Sequence, residues 1–538
     1  MIPSKIRGQW AALILTASGL FAIPSAALRA ADFDLQSATI ADINAAFDSG
    51  ALTSEKLVQL CLARITTYEP KLHAIITLNP KALDEARALD AERKAKGPRS
   101  PLHGIPVIFK DNYDTADMQT SGGFFGLKGS LPPQDSTIVA KLRAAGAIIF
   151  IKANLSEFAS GATMSSLGGQ SHNPHDLEVT PSGSSGGTGV SIAAAYAPLG
   201  YGTDTGGSIR GPSTSNGIVG LKPTQGLLSR AGIIPLALAF DTGGPMARSV
   251  YDIAVSLNLT TGLDPRDDAT KRAEGKIATD YTKFLDKGAL KGARIGVARD
   301  FFGQDPEVDT TMESALAAMR RAGATLIDVH YPEGILRARA DIYATIMKSE
   351  FKAQIAVYLS TLKPGFPKNL SDIRALSEKV SSPTAEGYLP DPLRLASYRL
   401  DEKGPPLTDP VYLAAKNFGQ PYVRASMSAL IEVNALDAIV YPTSPRRPAK
   451  IADFTPPPAP GAAPAVTSAT NIANITGFPD LIVPAGFTTN GLPIGISFFG
   501  PAFSEPKLLA LGYAFEQATH SLRRPVNTPS LPGESFTY

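Results

Sequence analysis

This sequence has a single cysteine, few histidines and almost no net charge, and each shortage excludes a class of function. The lone Cys61 rules out an internal disulfide. Because 51 basic residues face 49 acidic ones, no overall field would attract nucleic acid or an anionic membrane. His172 and His175 are the most closely spaced of the six histidines. The intervening Asn173-Pro174 favours a loop, so no metal site is predicted there.

The N-terminus is typical of a secretory signal peptide. Lys5 and Arg7 precede an apolar run from Trp10 to about Ile23, and small residues follow. We therefore expect residues 1–30 to be a signal peptide, residues 31–538 to form the mature domain, and the protein to be periplasmic or secreted. An uncleaved membrane anchor is the alternative. No other window is apolar enough to span a bilayer, so no stable membrane insertion is expected once the signal is removed.

Apolar strand candidates alternate with helical segments along the chain. Residues 293–298, 310–321 and 324–330 predict a strand, a helix and a strand, which together make a βαβ unit. Asn490-Gly491 lies between two apolar runs and predicts a hairpin turn. No linker separates two modules. The sequence therefore predicts one large α/β domain whose sheet is covered by helices on both faces.

Two serine–glycine clusters lie between residues 181 and 210, with Ser184 in the first and Ser208 in the second. A serine among glycines places a hydroxyl beside uncovered backbone N–H groups, and acyl-transfer chemistry needs that combination. A phosphate-binding loop is an alternative for the first cluster, but Gly186-Gly187-Thr188 lacks the lysine of that motif. A simple turn is the structural alternative for both clusters.

A serine needs a base to become a nucleophile near neutral pH. A histidine brought close by the fold would give a Ser-His-Asp arrangement, and that alternative stays open. Two lysines also end apolar strand candidates: Lys110 follows residues 105–109, and Lys152 follows residues 147–151. The pKa of either amine would have to fall from about 10.4 to about 7, which burial can provide. The residue pattern does not choose between the two lysines.

Taken together, these motifs resemble the amidase signature family over roughly residues 35–520, most densely between residues 100 and 250. The matching residues are Gly104-Ile105-Pro106, Lys110-Asp111-Asn112, Asn154, Glu157-Phe158, Asn173-Pro174, Gly183 to Gly187, Gly202 to Arg210, Gly220 to Thr224, Gly486 and Gly491 to Gly495. The run from Leu228 to Ser249 is similar to bacterial peptide amidases in that family, and the likeness extends to the amidotransferase A-subunit type. Ser182 departs from the family pattern, which commonly has glycine there, but it lies outside the reactive residues.

The resemblance assigns roles to the residues of both clusters. By it, Ser208 would be the nucleophile, Ser184 a bridging serine beside a cis peptide bond, and Lys110 the base. It places the oxyanion hole at the backbone N–H groups of four consecutive residues: Thr205, Gly206, Gly207 and Ser208. Asp204 and Arg210 bracket the nucleophile, and we expect them to pair and shape the loop.

The fold that the resemblance implies is α/β, a single large domain with a mixed, twisted central β-sheet between helical layers. The expected function is a serine amidohydrolase that cleaves a small peptide amide or aryl amide through an acyl-enzyme, without metal or cofactor. An esterase or a carbamate hydrolase would use the same residues. An inactive family member that acts as a binding protein is the alternative from another class. The sequence indicates neither the substrate-binding residues nor the oligomeric state.

Overall fold

The strands lie in the part of the chain that the computed structural model describes, residues 31–161, 163–380, 382–384, 389–451 and 468–538. In chain order they are β1 (Asp32–Asp34), β2 (Ile75–Leu78), β3 (Pro106–Lys110), β4 (Ile148–Ala153), β5 (Met164–Ser165), β6 (Gly169–Gln170), β7 (Leu199–Asp204), β8 (Val219–Lys222), β9 (Thr242–Ala247), β10 (Arg294–Ala298), β11 (Thr325–Val329), β12 (Ala438–Pro442), β13 (Asp480–Phe487), β14 (Pro493–Phe499) and β15 (Ser535–Thr537). The predicted signal peptide, residues 1–30, lies outside the described residues and stays a prediction.

The α-helices are distributed along the whole described chain. They are α1 (Ile40–Asp48), α2 (Ser54–Leu72), α3 (Ala82–Lys96), α4 (Thr137–Ala144), α5 (Gly186–Ala193), α6 (Arg210–Ser215), α7 (Val250–Thr260), α8 (Pro306–Arg321), α9 (Glu333–Ser360), α10 (Leu370–Lys379), α11 (Pro392–Asp401), α12 (Pro410–Ala414), α13 (Gln420–Val433), α14 (Thr470–Thr476) and α15 (Glu505–Thr519). Among the described residues, no helix combines the length and apolar composition needed to cross a membrane.

One large mixed sheet organises the fold, with the strand order β11-β10-β12-β14-β13-β8-β9-β7-β3-β4-β2. The pairs β11–β10, β10–β12, β7–β3 and β3–β4 are parallel, and the other neighbours are antiparallel. Helix α5 packs against β3 and β7, and α15 packs against β13. Every residue of β3, β4 and β7 is buried, as strands covered on both faces should be. The predicted α/β class, a mixed sheet between helices, is confirmed.

Two local predictions are also confirmed. Strands β10 and β11 pair in parallel, with Arg294 opposite Thr325, and α8 joins them as a βαβ unit. Strands β13 and β14 form an antiparallel hairpin around Asn490-Gly491, with Phe487 opposite Pro493. In both units, the sequence pattern was enough because the contacts join neighbouring elements.

Helix starts follow local side-chain chemistry. Thr39 caps α1 by accepting the N–H of Asp42, and the Asp42 carboxylate accepts the N–H of Thr39 in return, which is a capping box. Asp305 caps α8, and Pro306 occupies its first turn, where the missing N–H costs nothing. Helix α2 is longer than residues 54–67 predicted from sequence, because it continues past Pro70 to Leu72. Buried packing of its last turn outweighs the one hydrogen bond that proline removes.

The two ends of the described chain meet on α2. Strand β1 pairs antiparallel with β15. Arg64 of α2 forms a fully buried ion pair with Glu534 at 2.8 Å, and it also donates to the C=O of Thr528 at 2.8 Å. The C-terminal segment is therefore anchored by a charged pair that is shielded from solvent.

Candidate active site

Two parallel neighbouring strands bring Lys110 and both serine–glycine clusters to one edge of the sheet. Lys110 is the last residue of β3, and the adjacent strand β7 ends at Asp204. Ser208 follows β7 in a short connection, residues 205–209, which we call the Ser208 loop. Ser184 lies two residues before α5, the helix that packs on β3 and β7. Because parallel neighbours end at the same edge, these side chains converge there.

Lys110 is fully buried and contacts the first cluster directly. Its Nζ lies 2.6 Å from Ser184 Oγ and 2.8 Å from Thr203 Oγ1. The side-chain amide of Asn112 also donates to Thr203 Oγ1, at 3.0 Å. The Gly183–Ser184 peptide bond is cis, next to Ser184 as the family resemblance implies. The amine is therefore held between two hydroxyls.

Burial changes the protonation of this amine. Loss of hydration lowers the pKa of Lys110 from 10.5 to about 7, and the negative charges of Asp204 and Asp241 oppose the shift only in part. Within the described residues, no carboxylate lies within ion-pair distance of Lys110. A large fraction of the lysine is thus neutral near pH 7, which is the form that can accept a proton.

Ser208 and Ser184 differ in exposure. The Ser208 side chain is partly exposed, whereas Ser184 is buried. The N–H of Ser185 donates to the C=O of Ser208 at 3.1 Å and so ties the two clusters together. The C=O of Ser184 accepts the N–H of Ser156 at 3.0 Å. Among the residues described, none forms a hydrogen bond with the Ser208 hydroxyl, which leaves it open to an incoming substrate.

A buried charge network holds the Ser208 loop from below. Arg210 donates to Asp204 at 3.0 and 3.1 Å, to Asp480 at 2.8 Å and to Asn474 at 2.6 Å. Burial alone would raise the pKa of Asp204, but Arg210 outweighs it and holds that pKa below its ordinary value. The carboxylate also accepts the N–H of Ile209 at 2.9 Å. The expected pairing of Asp204 with Arg210 is confirmed.

One member of the expected oxyanion hole differs from the prediction. The N–H of Gly207 donates to Asp204 Oδ1 at 2.8 Å, so it is already occupied by a carboxylate. We therefore drop Gly207 from the set and retain the N–H groups of Thr205, Gly206 and Ser208. The carboxylate could not be seen from sequence as a competitor, because Asp204 was expected only to pair with Arg210.

The alternative bases lie elsewhere. Lys152 donates to the C=O of Tyr113 at 2.7 Å and pairs with Asp111 at 3.2 Å, so it closes the loop that follows β3. His172 contacts the C=O of Leu177 at 2.7 Å. The contacts of these two side chains, and those of His175 with Asn216, include neither serine of the clusters. Lys110 is the candidate base that the fold brings to Ser184.

Sequence reasoning missed two residues beside the loop. Asp241 accepts the Thr205 hydroxyl at 2.6 Å. Tyr343 of α9 lies over Gly206 so closely that a Cβ on that glycine would meet the phenol oxygen at 2.5 Å. Asp241 stands just before the Gly-Gly-Pro of β9, a local signal that could have flagged it. Tyr343 carries no such signal, because it lies far away in sequence on a long helix.

Known proteins match this chain over most of its length. The Amidase family profile matches residues 56–509. A probable amidase of Arabidopsis thaliana is 35% identical over 512 residues, which cover 92% of this chain and 92% of the relative. The A-subunit of the glutamyl-tRNA(Gln) amidotransferase of Alkalilimnicola ehrlichii is 35% identical over 492 residues, which cover 89% of this chain and 97% of the relative.

Solved structures agree with the sequence relatives. The native peptide amidase from Stenotrophomonas maltophilia is 37% identical, with a TM-score of 0.82 and coverage of 92% of this chain and 99% of that one. An amidase family protein from Bacillus anthracis is 32% identical, with a TM-score of 0.80 and coverage of 91% and 92%. Fold, sequence profile and full-length relatives thus agree with the resemblance read from the two serine–glycine clusters. This chain belongs to the amidase family of enzymes.

Proposed function

We propose that this protein hydrolyses carboxamides through an acyl-enzyme formed on Ser208. Neutral Lys110 accepts a proton from Ser184, Ser184 accepts one from Ser208, and the Ser208 oxygen attacks the carbonyl carbon. Backbone N–H groups of the Ser208 loop hold the oxyanion. Ser184 then protonates the departing nitrogen and recovers its own proton from Lys110, and the C–N bond breaks. Water attacks the acyl-enzyme in the same way and releases the carboxylic acid and free Ser208.

The observation that carries this proposal is the 2.6 Å contact between Lys110 Nζ and Ser184 Oγ in a fully buried setting. A solvated ammonium could only donate to the hydroxyl. The same group with a pKa of about 7 also offers a lone pair near neutral pH. An amide nitrogen leaves only when protonated, and the relay through Ser184 supplies that proton where the bond breaks.

Peptide amides or aryl amides are the substrate class that we favour. The support is the 37% identity to a peptide amidase over nearly all of both chains. Esters and carbamates share the acyl-transfer step but have a better leaving group, so they are the nearest chemical alternatives. Comparing matched amide, ester and carbamate substrates separates the three.

A second candidate is a component of an amidotransferase, which the 35% identity to the A-subunit of the glutamyl-tRNA(Gln) amidotransferase favours. The two proposals differ in what the isolated chain does. A free-standing amidase releases an amine or ammonia from its substrate with no other chain present. An amidotransferase component would reach its full rate only after its partner chains are added.

The test combines turnover with active-site labelling of the purified protein. A panel of peptide amides, anilides and matched esters is assayed beside a fluorophosphonate probe that reacts with activated serines. Ser208→Ala should abolish both turnover and labelling, because it removes the attacking oxygen. Ser182→Ala is the matched control, a serine of the same cluster outside the proton path, and should stay within about twofold of wild type.

Three results would contradict the proposal. Labelling that survives Ser208→Ala would place the nucleophile elsewhere. A wild-type protein that neither turns over nor labels would favour the binding-protein alternative. Turnover that appears only with added partner chains would favour the amidotransferase component.

A further inference from the structure

Asp241 is a buried carboxylate that contacts the Ser208 loop but has no place in the proposed proton path. Its Oδ1 accepts the Thr205 hydroxyl at 2.6 Å, and its Oδ2 accepts the N–H groups of Leu236 at 2.9 Å and Ala237 at 3.0 Å. The residue is only 7% exposed. The nearby guanidinium of Arg230 is paired with a different carboxylate. The hydrogen bonds that Asp241 accepts within the described chain therefore come from neutral donors.

We propose that Asp241 is a positioning residue that fixes the Ser208 loop in the shape needed to bind an oxyanion. This inference rests on the function proposed above, and it goes further by naming what orders the loop. Thr205 is the first residue of the loop and one of the three retained N–H donors. A hydroxyl held at 2.6 Å by a fixed carboxylate restricts the backbone that carries it.

The turn that carries Asp241 is itself anchored. Its N–H donates to the C=O of Ala237 at 2.8 Å, which closes the turn. The N–H of Ala239 donates to the buried carboxylate of Glu350 on α9 at 2.7 Å. Glu350 also accepts the hydroxyl of Tyr412 at 2.8 Å. Because α9 holds the turn, the carboxylate of Asp241 is a rigid support and not a mobile partner.

A second contact from the same turn supports the next residue of the loop. Phe240 stacks on Tyr343 with ring centroids 5.0 Å apart and an angle of 18° between the rings. The Tyr343 hydroxyl lies over Gly206, where an added Cβ would approach it to 2.5 Å. Adjacent residues of the turn thus hold Thr205 by a hydrogen bond and Gly206 by packing. The N–H groups of both loop residues are ordered before substrate arrives, which is the condition for strong oxyanion binding.

Two substitutions separate the position of the loop from the charge of the carboxylate. Thr205→Val keeps the shape of the side chain and the charge of Asp241 but removes the hydrogen bond. Asp241→Asn removes the charge that, together with Asp204, raises the pKa of Lys110 against burial. Asp241→Asn should therefore move the acid limb of the pH–rate profile to lower pH. Thr205→Val should leave the limb where it is.

Steady-state kinetics on the best amide of the panel provide the first readout. Thr205→Val and Asp241→Asn should each lower kcat about tenfold or more and change KM less than about twofold, because the loop acts mainly in the transition state. The double variant should be no slower than the slower single variant, since both changes break one contact. Asp252→Asn is the matched control: that buried carboxylate accepts the N–H of Ile40 at 2.8 Å.

Hydrogen exchange of the loop amides provides a readout that does not require turnover. Backbone N–H groups of residues 205–208 should exchange about tenfold faster in Thr205→Val and Asp241→Asn than in wild type, and at the wild-type rate in Asp252→Asn. If Asp241→Asn does not fold, Thr205→Val alone decides. Unchanged exchange and unchanged kcat in Thr205→Val, or multiplied losses in the double variant, would overturn the inference. Faster exchange in these two variants of a protein without amidase activity would leave the inference intact and refute only the proposed function.

Discussion

Activity should depend on pH through one buried amine, that of Lys110. Its pKa falls from 10.5 to about 7 because burial removes the hydration of the ammonium. A fall of that size corresponds to about 5 kcal/mol against the charged form. The base works only when neutral, so kcat/KM should rise with pH and level off above an apparent pKa of about 7.

The expected profile is steep enough to measure. At pH 6 roughly one-tenth of Lys110 is neutral, so kcat/KM should be about tenfold below its plateau, and it should fall another tenfold by pH 5. A solvated lysine would instead be neutral in roughly one molecule in 3,000 at pH 7, and the rate would climb tenfold per pH unit to about pH 10. Initial rates at low substrate concentration between pH 5 and 10 distinguish the two shapes. A continued climb above pH 8, or no change between pH 5 and 7, would refute the reasoning.

A second buried lysine supplies the control that assigns the limb. Burial also lowers the pKa of Lys222 to about 7, and its Nζ donates to the C=O of Pro223 at 2.9 Å. Lys222→Met should therefore keep the limb, whereas Lys110→Met should lose most of the activity and the limb with it. A limb that disappears in Lys222→Met and persists in Lys110→Met would assign the titration to the wrong amine.

Two further predictions concern packing. Gly206→Ala should reduce kcat/KM about tenfold or more because the new methyl group meets the Tyr343 hydroxyl, and adding Tyr343→Phe should restore part of it; full activity in Gly206→Ala alone would contradict the contact. Glu534→Gln should lower the free energy of unfolding by about 3–5 kcal/mol in urea titrations, because Arg64 stays buried without a counter-charge, whereas the solvent-accessible Glu378→Gln should cost about 1 kcal/mol or less. Equal losses in the two glutamate variants would show that burial does not decide the cost.

Much of the site could be predicted because its signals are local. The serine–glycine clusters, the lysine that ends an apolar strand and the pairing of Asp204 with Arg210 all lie within short segments. Local pattern could not choose between Lys110 and Lys152, since each ends a buried strand. The strand order makes that choice: β3 lies beside β7, which carries the Ser208 loop, whereas β4 is one strand further away. Such an order depends on contacts between distant segments and leaves no trace in spacing.

The partners of the Ser208 loop were beyond prediction for the same reason. Arg210 reaches Asp480 and Asn474, which lie more than 260 positions later in the chain. The Gly207 N–H was assigned to the oxyanion hole because nothing in the sequence showed that a carboxylate would occupy it. Tyr343 lies over Gly206 only because α9 crosses the end of β7. These contacts are set by packing, and packing is read from the fold.

The two strand-end lysines show what converts a structural amine into a base. Both are fully buried, and burial lowers the pKa of each. Lys152 has the Asp111 carboxylate 3.2 Å away and four oxygen acceptors besides, so its charge is matched where it lies. Lys110 meets only two hydroxyls within the described chain, and Asp204, one of the two carboxylates that act on it, is already bound to Arg210. Because its charge is left without a close counter-charge, the neutral form of Lys110 is accessible near pH 7, and that form is the one the proposed hydrolysis needs.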